Sequence, residues 1–122
     1  MPTPAGLLLS DDLIFASRIT GTAAALGLSV QAARSPDALL ELARRHAPRG
    51  VLLDLAHPGL VLPDLLRGLR ESCTPAPYVV AYGSHVDAAG LRAAREAGCD
   101  LVLPRSKFVE ELPRALPAWL GR

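Results

Sequence analysis

Short, mostly apolar runs alternate along the chain with longer segments in which apolar residues recur at helical spacing. The apolar runs cover residues 7–9, 28–33, 51–54, 78–82 and 101–103. Runs of this length, separated by helical patterns, are typical of strands buried on both faces of a parallel sheet. The pattern therefore predicts five strands, each followed by a helix.

The helical segments carry recognisable start and stop signals. Gly27 is placed to end the first helix. Ser35 followed by Pro36 predicts an N-cap and a first helical residue for the second. Residues 84–87 resemble a capping box for the fourth helix, which Gly98 should end. The apolar positions of the first helix are Leu13, Ile14, Phe15, Ile19, Ala23 and Leu26.

The last helix is predicted to be interrupted. Ser106 is a candidate cap for a helical pattern over residues 108–120. Pro113 and Pro117 lie inside that pattern, and each proline lacks an N–H donor and clashes with the carbonyl four residues back. We therefore expect this helix to be kinked or split into short turns.

Regular alternation of strand and helix predicts an α/β fold. Parallel neighbouring strands need crossover helices on both faces of the sheet, so we expect a three-layer sandwich around a five-stranded parallel sheet. Residues 1–122 show no internal repeat, low-complexity tract or linker. We therefore expect a single domain.

Composition narrows the classes of function. Half of the residues are apolar, which is ample for one core. The formal net charge is +1, so neither nucleic acid nor an anionic membrane is expected as a partner. No stretch approaches a membrane span or a signal peptide. Cys73 and Cys99 lack metal-site spacing and a disulfide framework, which favours buried thiols in a reducing, cytoplasmic setting.

Acidic residues follow two of the predicted strands directly. Asp11 and Asp12 come after the first, and Asp54 ends the third. The functional crevice of an open α/β sheet lies beyond the carboxyl ends of its strands, so these three carboxylates are expected to meet there. Crowded carboxylates either hold a proton or bind a hard divalent cation, for which Mg²⁺ is the natural choice.

Together these residues carry a family resemblance. The acidic pair, Asp54 with Pro58 four residues on, and the segment 97–100 make nearly the whole chain resemble a response-regulator receiver domain of the stand-alone chemotaxis type. The resemblance implies a flavodoxin-like sheet with strand order 2-1-3-4-5. It also implies Asp54 as the acceptor of a phosphoryl group from a histidine kinase or a phosphotransfer protein.

The resemblance also assigns the metal site and the output surface. Asp12 would bind Mg²⁺ directly, Asp11 through water and Ala56 through its backbone carbonyl, and Asp54 would belong to the same metal site. Output would pass to a protein target through the face formed by the fourth helix, fifth strand and fifth helix. A homodimer is left open.

The chain departs from the family pattern where the switch is expected. Gly83 stands where a Thr or Ser hydroxyl usually binds the phosphoryl group, and Ser84 is the candidate substitute or, equally, a helix cap. Arg105 and Ser106 replace the usual Lys-Pro pair, so Arg105 is the candidate cation of the site. Lys107 could also compensate, although a solvated first-turn residue is the better interpretation. Val102 replaces the aromatic residue that usually reports phosphorylation, and Tyr82 is a weaker candidate for that role.

Three functions stay open at this point. The first is an atypical receiver phosphorylated on Asp54, and the second is a pseudo-receiver that binds its partner without phosphorylation. The third and weakest is a small flavodoxin-like cofactor binder or enzyme. His57 comes one residue too late for the Asp-x-His-x-x-Gly signature of cobalamin-binding domains, and loop packing suits it better. Neither a serine-nucleophile elbow nor a phosphate-binding glycine loop occurs, so we do not expect an enzyme.

Overall fold

Five strands and five helices alternate along residues 4–121, the part of the chain that the computed structural model describes. The strands are β1 (Gly6–Leu9), β2 (Val30–Ala33), β3 (Gly50–Asp54), β4 (Tyr78–Gly83) and β5 (Leu101–Pro104). The helices are α1 (Leu13–Ala25), α2 (Pro36–His46), α3 (Leu62–Ser72), α4 (Ala88–Ala97) and α5 (Arg105–Gly121).

The strands form one parallel sheet in the order β2-β1-β3-β4-β5. The predicted fold class and strand order are therefore confirmed. In register, Asp54 at the end of β3 lies beside Tyr82 of β4, and Gly83 lies beside Pro104 of β5. This edge of the sheet gathers the ends of three adjacent strands.

Each face of the sheet is covered by a separate apolar cluster. Leu8, Leu52 and Val80 lie in the cluster with buried residues of α1 and α5, whereas their strand neighbours lie in the cluster with α2, α3 and α4. Successive side chains of a strand point to opposite faces, so both faces of a central strand are buried. Completely burying one leucine side chain contributes about 1.5–3 kcal/mol relative to leaving it exposed.

Helix α1 presents fewer of its apolar residues to the core than its sequence predicts. Phe15 and Ile19 are buried, but Leu13 and Ile14 are 61% and 86% exposed, and Leu26 lies beyond the helix and is largely exposed. The buried residues of α1 are Phe15, Ala16, Ile19 and Ala23, so its apolar stripe is narrower than the sequence predicts. Gly27 adopts φ of 75°, as expected for a residue that follows a helix end.

One of the predicted helix caps is confirmed and another is wrong. Ser35 caps α2 by accepting a hydrogen bond from the Ala38 N–H, which confirms the Ser-Pro signal. The capping box starting at Ser84 is wrong, because α4 begins three residues later, where Asp87 accepts a hydrogen bond from the Gly90 N–H. The segment offered two side chains able to cap, and the second one does so.

Helix α5 runs without a break from Arg105 to Gly121, so the predicted split is wrong. Pro113 and Pro117 lie on its exposed side, where water can bind the carbonyls that lose their helical donors. Ser106 lies inside the first turn and not before it. Buried residues on the opposite side hold α5 against the sheet: Phe108, Leu112, Leu116, Trp119 and Leu120. None of the described helices is long and apolar enough to cross a membrane.

Candidate functional site

An open cleft of about 680 Å³ lies at the carboxyl ends of β3, β4 and β5. Its charged lining consists of Asp54 and two arginines, Arg18 and Arg105. The remaining lining residues are Phe15, Ala56, Tyr82, Gly83, Ser84, His85, Ser106 and Val109. One carboxylate facing two guanidinium groups makes a cleft suited to an anionic group beside Asp54.

Asp54 is held as a buried carboxylate at the base of this cleft. Its side chain is among the few buried charged groups, with 5% of the residue exposed. Oδ1 accepts a hydrogen bond of 2.9 Å from the Ala56 N–H. No residue within 4–121 donates to Oδ2, and Asp54 lines the cleft. One oxygen therefore orients the carboxylate while the other is free to react or to bind a ligand.

The carboxylate of Asp12 accepts a hydrogen bond at each of its two oxygens. Its Oδ1 caps α1 by accepting from the Phe15 N–H at 3.0 Å, and its Oδ2 accepts from Nη2 of Arg105 at 3.2 Å. The backbone hydrogen bond from Phe15, followed by the Arg105 guanidinium, holds the pKa of Asp12 below its ordinary value. Both oxygens of this carboxylate therefore already have donors.

Arg105 is fixed between two residues of the α1 amino terminus. It is the first residue of α5, and its Cζ atom lies 4.0 Å from the centroid of the Phe15 ring. The same guanidinium forms the ion pair with Asp12, although both side chains are 44% exposed. A cation over an aromatic face is attracted by the negative face of the ring, so the two contacts restrain Arg105 together.

The expected magnesium ligands do not form a metal-binding group in this arrangement. Asp11 and Ala56 are exposed, and neither Asp11 nor Asp12 is among the described residues that line the cleft of Asp54. No three His, Cys, Asp or Glu side chains between residues 4 and 121 are grouped so that they could hold a metal ion. Carboxylate oxygens are donors that suit Mg²⁺, but Oδ2 of Asp12 is already paired with Arg105. Magnesium binding stays a prediction.

The hydroxyl expected beside Asp54 is absent from the strand itself. Gly83 ends β4, and Ser84 follows as an exposed residue. The Ser84 Oγ accepts a hydrogen bond of 3.3 Å from the Val86 N–H, so it belongs to a local turn. Ser84 nevertheless lines the cleft. The geometry brings Ser84 and Arg105 to the cleft that contains Asp54, as the sequence predicted.

Tyr82, the weaker candidate for the aromatic reporter, is a packed ring of the core. It is completely buried, stacks on Phe108 with ring centroids 4.4 Å apart, and contacts Phe15 at 5.3 Å. Its hydroxyl makes no hydrogen bond to any described residue. Burial, followed by the nearby Asp54 charge, raises the pKa of Tyr82 above its ordinary value. The sequence shows only a tyrosine at the end of an apolar run, and its place beside Asp54 comes from the strand register.

Lys107 and His57 have local structural roles. Lys107 lies within 3.9 Å of Glu110 and 3.7 Å of Glu111 on its own helix. His57 is buried, with Nε2 2.6 Å from the Arg34 carbonyl and Nδ1 accepting from the Gly59 N–H. These contacts agree with the loop-packing interpretation of His57. His85 is exposed at the mouth of the cleft.

The chain is similar to solved structures, whereas comparison of its sequence with family models and curated proteins finds no match. No family model and no curated protein sequence matches the chain. A protein described as a response regulator of Chloroflexus aurantiacus superposes with a TM-score of 0.80 at 23% identity, over 98% of this chain and 99% of that one.

Two further structures are similar. The receiver domain of NtrX from Brucella abortus has a TM-score of 0.79 at 21% identity, over 95% of this chain and 98% of its own. A Burkholderia pseudomallei response regulator, whose structure contains a phosphorylated aspartic acid, a calcium ion and citrate, has a TM-score of 0.78 at 22% identity, over 95% of this chain and 66% of its own. At such identities the likeness concerns the fold, and this chain has the fold of response-regulator receiver domains.

Proposed function

We propose that this chain is a signalling domain that accepts a phosphoryl group on Asp54. The observation that carries the proposal is the state of that carboxylate: buried, oriented through Oδ1, unpaired at Oδ2 within the described residues, and faced by Arg18 and Arg105 across an open cleft. The phosphorylated aspartate reported for the structurally similar Burkholderia protein supports the same chemistry on this fold.

The donor in this proposal is a phosphohistidine of a histidine kinase or of a phosphotransfer protein. Oδ2 of Asp54 attacks phosphorus, so the Asp–O–P bond forms while the P–N bond breaks. The electron pair of the P–N bond stays on the imidazole nitrogen, and the ring leaves as neutral imidazole because its other nitrogen carries the proton. Guanidinium donors in the cleft offset the negative charge that the phosphoryl oxygens bring beside Asp54.

The test is a direct assay for the acyl phosphate. The protein is incubated with acetyl phosphate, which transfers its phosphoryl group and leaves as acetate, and is then analysed by intact-mass spectrometry. We expect an added phosphoryl mass that is absent from Asp54→Asn and retained in Asp64→Asn, which changes an exposed carboxylate on α3. An adduct of equal yield on Asp54→Asn would contradict the assignment.

A phosphorylation-independent interaction module is the second candidate. It is favoured by the absence of a side-chain hydroxyl at Gly83 and by the turn that holds Ser84. If neither acetyl phosphate nor a histidine kinase of the source organism modifies the protein, this second function replaces the first. In that case Asp54→Asn would leave partner binding unchanged.

The likeness in fold supports the proposal for partners. A protein target would contact the surface of α4, β5 and α5, and the domain would act in the cytoplasm, either alone or as a homodimer. Magnesium is part of the proposal only as an ion that competes with Arg105 for Asp12. The Asp12 contacts make that competition a testable property of this chain.

A further inference from the structure

Arg105 lines the cleft of Asp54 and is paired with Asp12, the carboxylate that a divalent cation would need. Its guanidinium is 3.2 Å from Oδ2 of Asp12, and the other oxygen of that carboxylate is bound by the Phe15 N–H. A hard cation binds through several oxygen ligands at short distances. To bind here, it would have to displace Arg105 from Asp12 and also approach the positive charge of that arginine.

Phe15 makes that displacement harder. The guanidinium lies 4.0 Å from the Phe15 ring centroid, and Phe15 is itself only 8% exposed, packed against Tyr82. Arg105 also begins α5, a helix held against the sheet by its buried side. The arginine is therefore restrained at its backbone, over its planar face and at its donor atoms.

Arg18 provides an internal comparison. It lines the same cleft and carries the same charge, but no described carboxylate forms an ion pair with it. Of the two arginines of the site, Arg105 is therefore paired with Asp12, the candidate metal ligand, and Arg18 is not.

We propose that Arg105 is the built-in cation of this site: it competes with divalent cations for Asp12 and supplies positive charge beside Asp54 in their place. The first part concerns cation binding alone and is independent of phosphoryl transfer. The second part, that Asp54 accepts a phosphoryl group without Mg²⁺, rests on the proposed function.

Cation binding is tested by titrating Mn²⁺ and Mg²⁺ into four proteins: the parent, Arg105→Met, Arg18→Met and the double variant Arg105→Met with Asp12→Asn. Broadening of amide resonances near residues 12 and 54 by Mn²⁺ gives the apparent Kd, and the shift of the melting temperature with Mg²⁺ provides a second readout. Methionine keeps an apolar stem over Phe15, and Trp119 fluorescence verifies folding.

Arg105→Met should bind about fivefold more tightly or better, the factor expected from losing an exposed ion pair together with a like charge. Arg18→Met, which loses a charge from the same cleft but no ion pair with Asp12, should gain distinctly less than Arg105→Met, and the double variant should lose the gain. Equal Kd values for the parent and Arg105→Met would overturn the proposal. An equal gain in cation affinity for Arg18→Met would also overturn the proposal. The loss of a positive charge from the cleft, and not the loss of the contact with Asp12, would then explain the tighter binding.

The second part is tested by acetyl phosphate with either Mg²⁺ or a chelator. We expect the parent to form the adduct in both conditions and Arg105→Met to form it only with Mg²⁺. A parent that requires Mg²⁺ would overturn this part while leaving the proposed function intact. The absence of adduct from every protein in every condition would contradict the proposed function, whereas the cation titration would still decide the role of Arg105.

Discussion

Tyr82 and Asp54 are register partners on adjacent strands, and the buried hydroxyl of Tyr82 has no hydrogen-bond partner among the described residues. A buried donor without a partner lowers the stability of a fold, because in the unfolded chain the same group is bound to water. Its ring, by contrast, is packed well between Phe15 and Phe108. The ring and the hydroxyl of Tyr82 therefore make opposite contributions to stability.

The variant Tyr82→Phe separates these contributions. It keeps the stacked ring and removes the unsatisfied hydroxyl, so we expect the free energy of unfolding to rise by about 1–3 kcal/mol. Urea denaturation followed by Trp119 fluorescence measures the change. Tyr78→Phe, at the half-buried start of the same strand, is the matched control and should bring no such gain. A loss of stability in Tyr82→Phe would show that the hydroxyl is bonded in solution.

Gly83 is the position at which a hydroxyl can be returned to the site. A Cβ atom there would lie 3.4 Å from side-chain atoms of Leu55 and Leu91, which is close to ordinary van der Waals contact, and Gly83 is not among the residues with positive φ. We expect Gly83→Thr to fold and to lengthen the lifetime of the Asp54 adduct about two- to twelvefold, the range for one neutral hydrogen bond.

The control for this prediction is Gly83→Ala, which adds the carbon without the hydroxyl. It should leave the adduct lifetime unchanged in a decay experiment followed by intact mass. Equal lengthening in both variants would assign the effect to packing. No lengthening in Gly83→Thr would mean that the hydroxyl does not reach the phosphoryl oxygens.

Local chemistry explains which features the sequence could predict. Apolar runs predicted β1, β3 and β4 and their parallel pairing because strands buried on both faces have no polar alternation, whereas β2, with Gln31 and Ala32 exposed, is buried only at its ends. Ser35 with Pro36 predicted the start of α2 because capping involves only residues within one turn. At α4 the same reasoning failed, since Ser84 and Asp87 were both able to cap and the chain alone did not rank them.

Contacts between distant parts of the chain explain the features that the sequence could not predict. The unbroken α5 depends on buried Phe108, Leu116 and Trp119 docking on the sheet, which outweighs the loss of two helical hydrogen bonds at prolines. The pairing of Arg105 with Asp12 joins residues 93 positions apart. Sequence reasoning placed both at the site, but their contact depends on how α1 and α5 pack.

Cys99 should make the stability of the fold sensitive to alkaline pH. Burial, with a smaller contribution from the Asp100 charge, raises the pKa of the Cys99 thiol to about 11 from its ordinary value of 9.0. A group whose pKa is raised on folding contributes stability that is complete below the unfolded value. That contribution is lost as pH rises from about 9 to about 11, and amounts to at most about 2 kcal/mol after allowing for solvent screening.

Urea midpoints at pH 8 and pH 10.5 measure this dependence. The parent should be less stable at pH 10.5 than at pH 8, and the difference in stability should be smaller for Cys99→Ala. Part of the loss should persist in that variant, because burial also raises the pKa of Tyr82 and of Cys73. Identical pH dependence in the parent and in Cys99→Ala would contradict the assignment to Cys99.

The response of the distant face to a phosphoryl mimic is the last prediction. Beryllofluoride bound to Asp54 should shift amide resonances near Asp12, Asp54 and Ser84 but not those of α4, β5 and the body of α5. A ligand moves a conformational equilibrium only through its different affinity for the two states. Gly83 offers no side-chain donor, and Val102 is a buried residue with no aromatic ring to turn.

Chemical-shift mapping with and without beryllofluoride measures this response, and Asp54→Asn is the control that should show no shift at all. The backbone carbonyl of Val102 accepts a hydrogen bond of 3.3 Å from Arg95 of α4, so resonances of these two residues report directly on the distant face. Large shifts there in the parent would contradict the prediction. If Tyr82→Phe then abolished those shifts, the buried hydroxyl beside Asp54 would be the group that couples the cleft to the α4 and β5 surface.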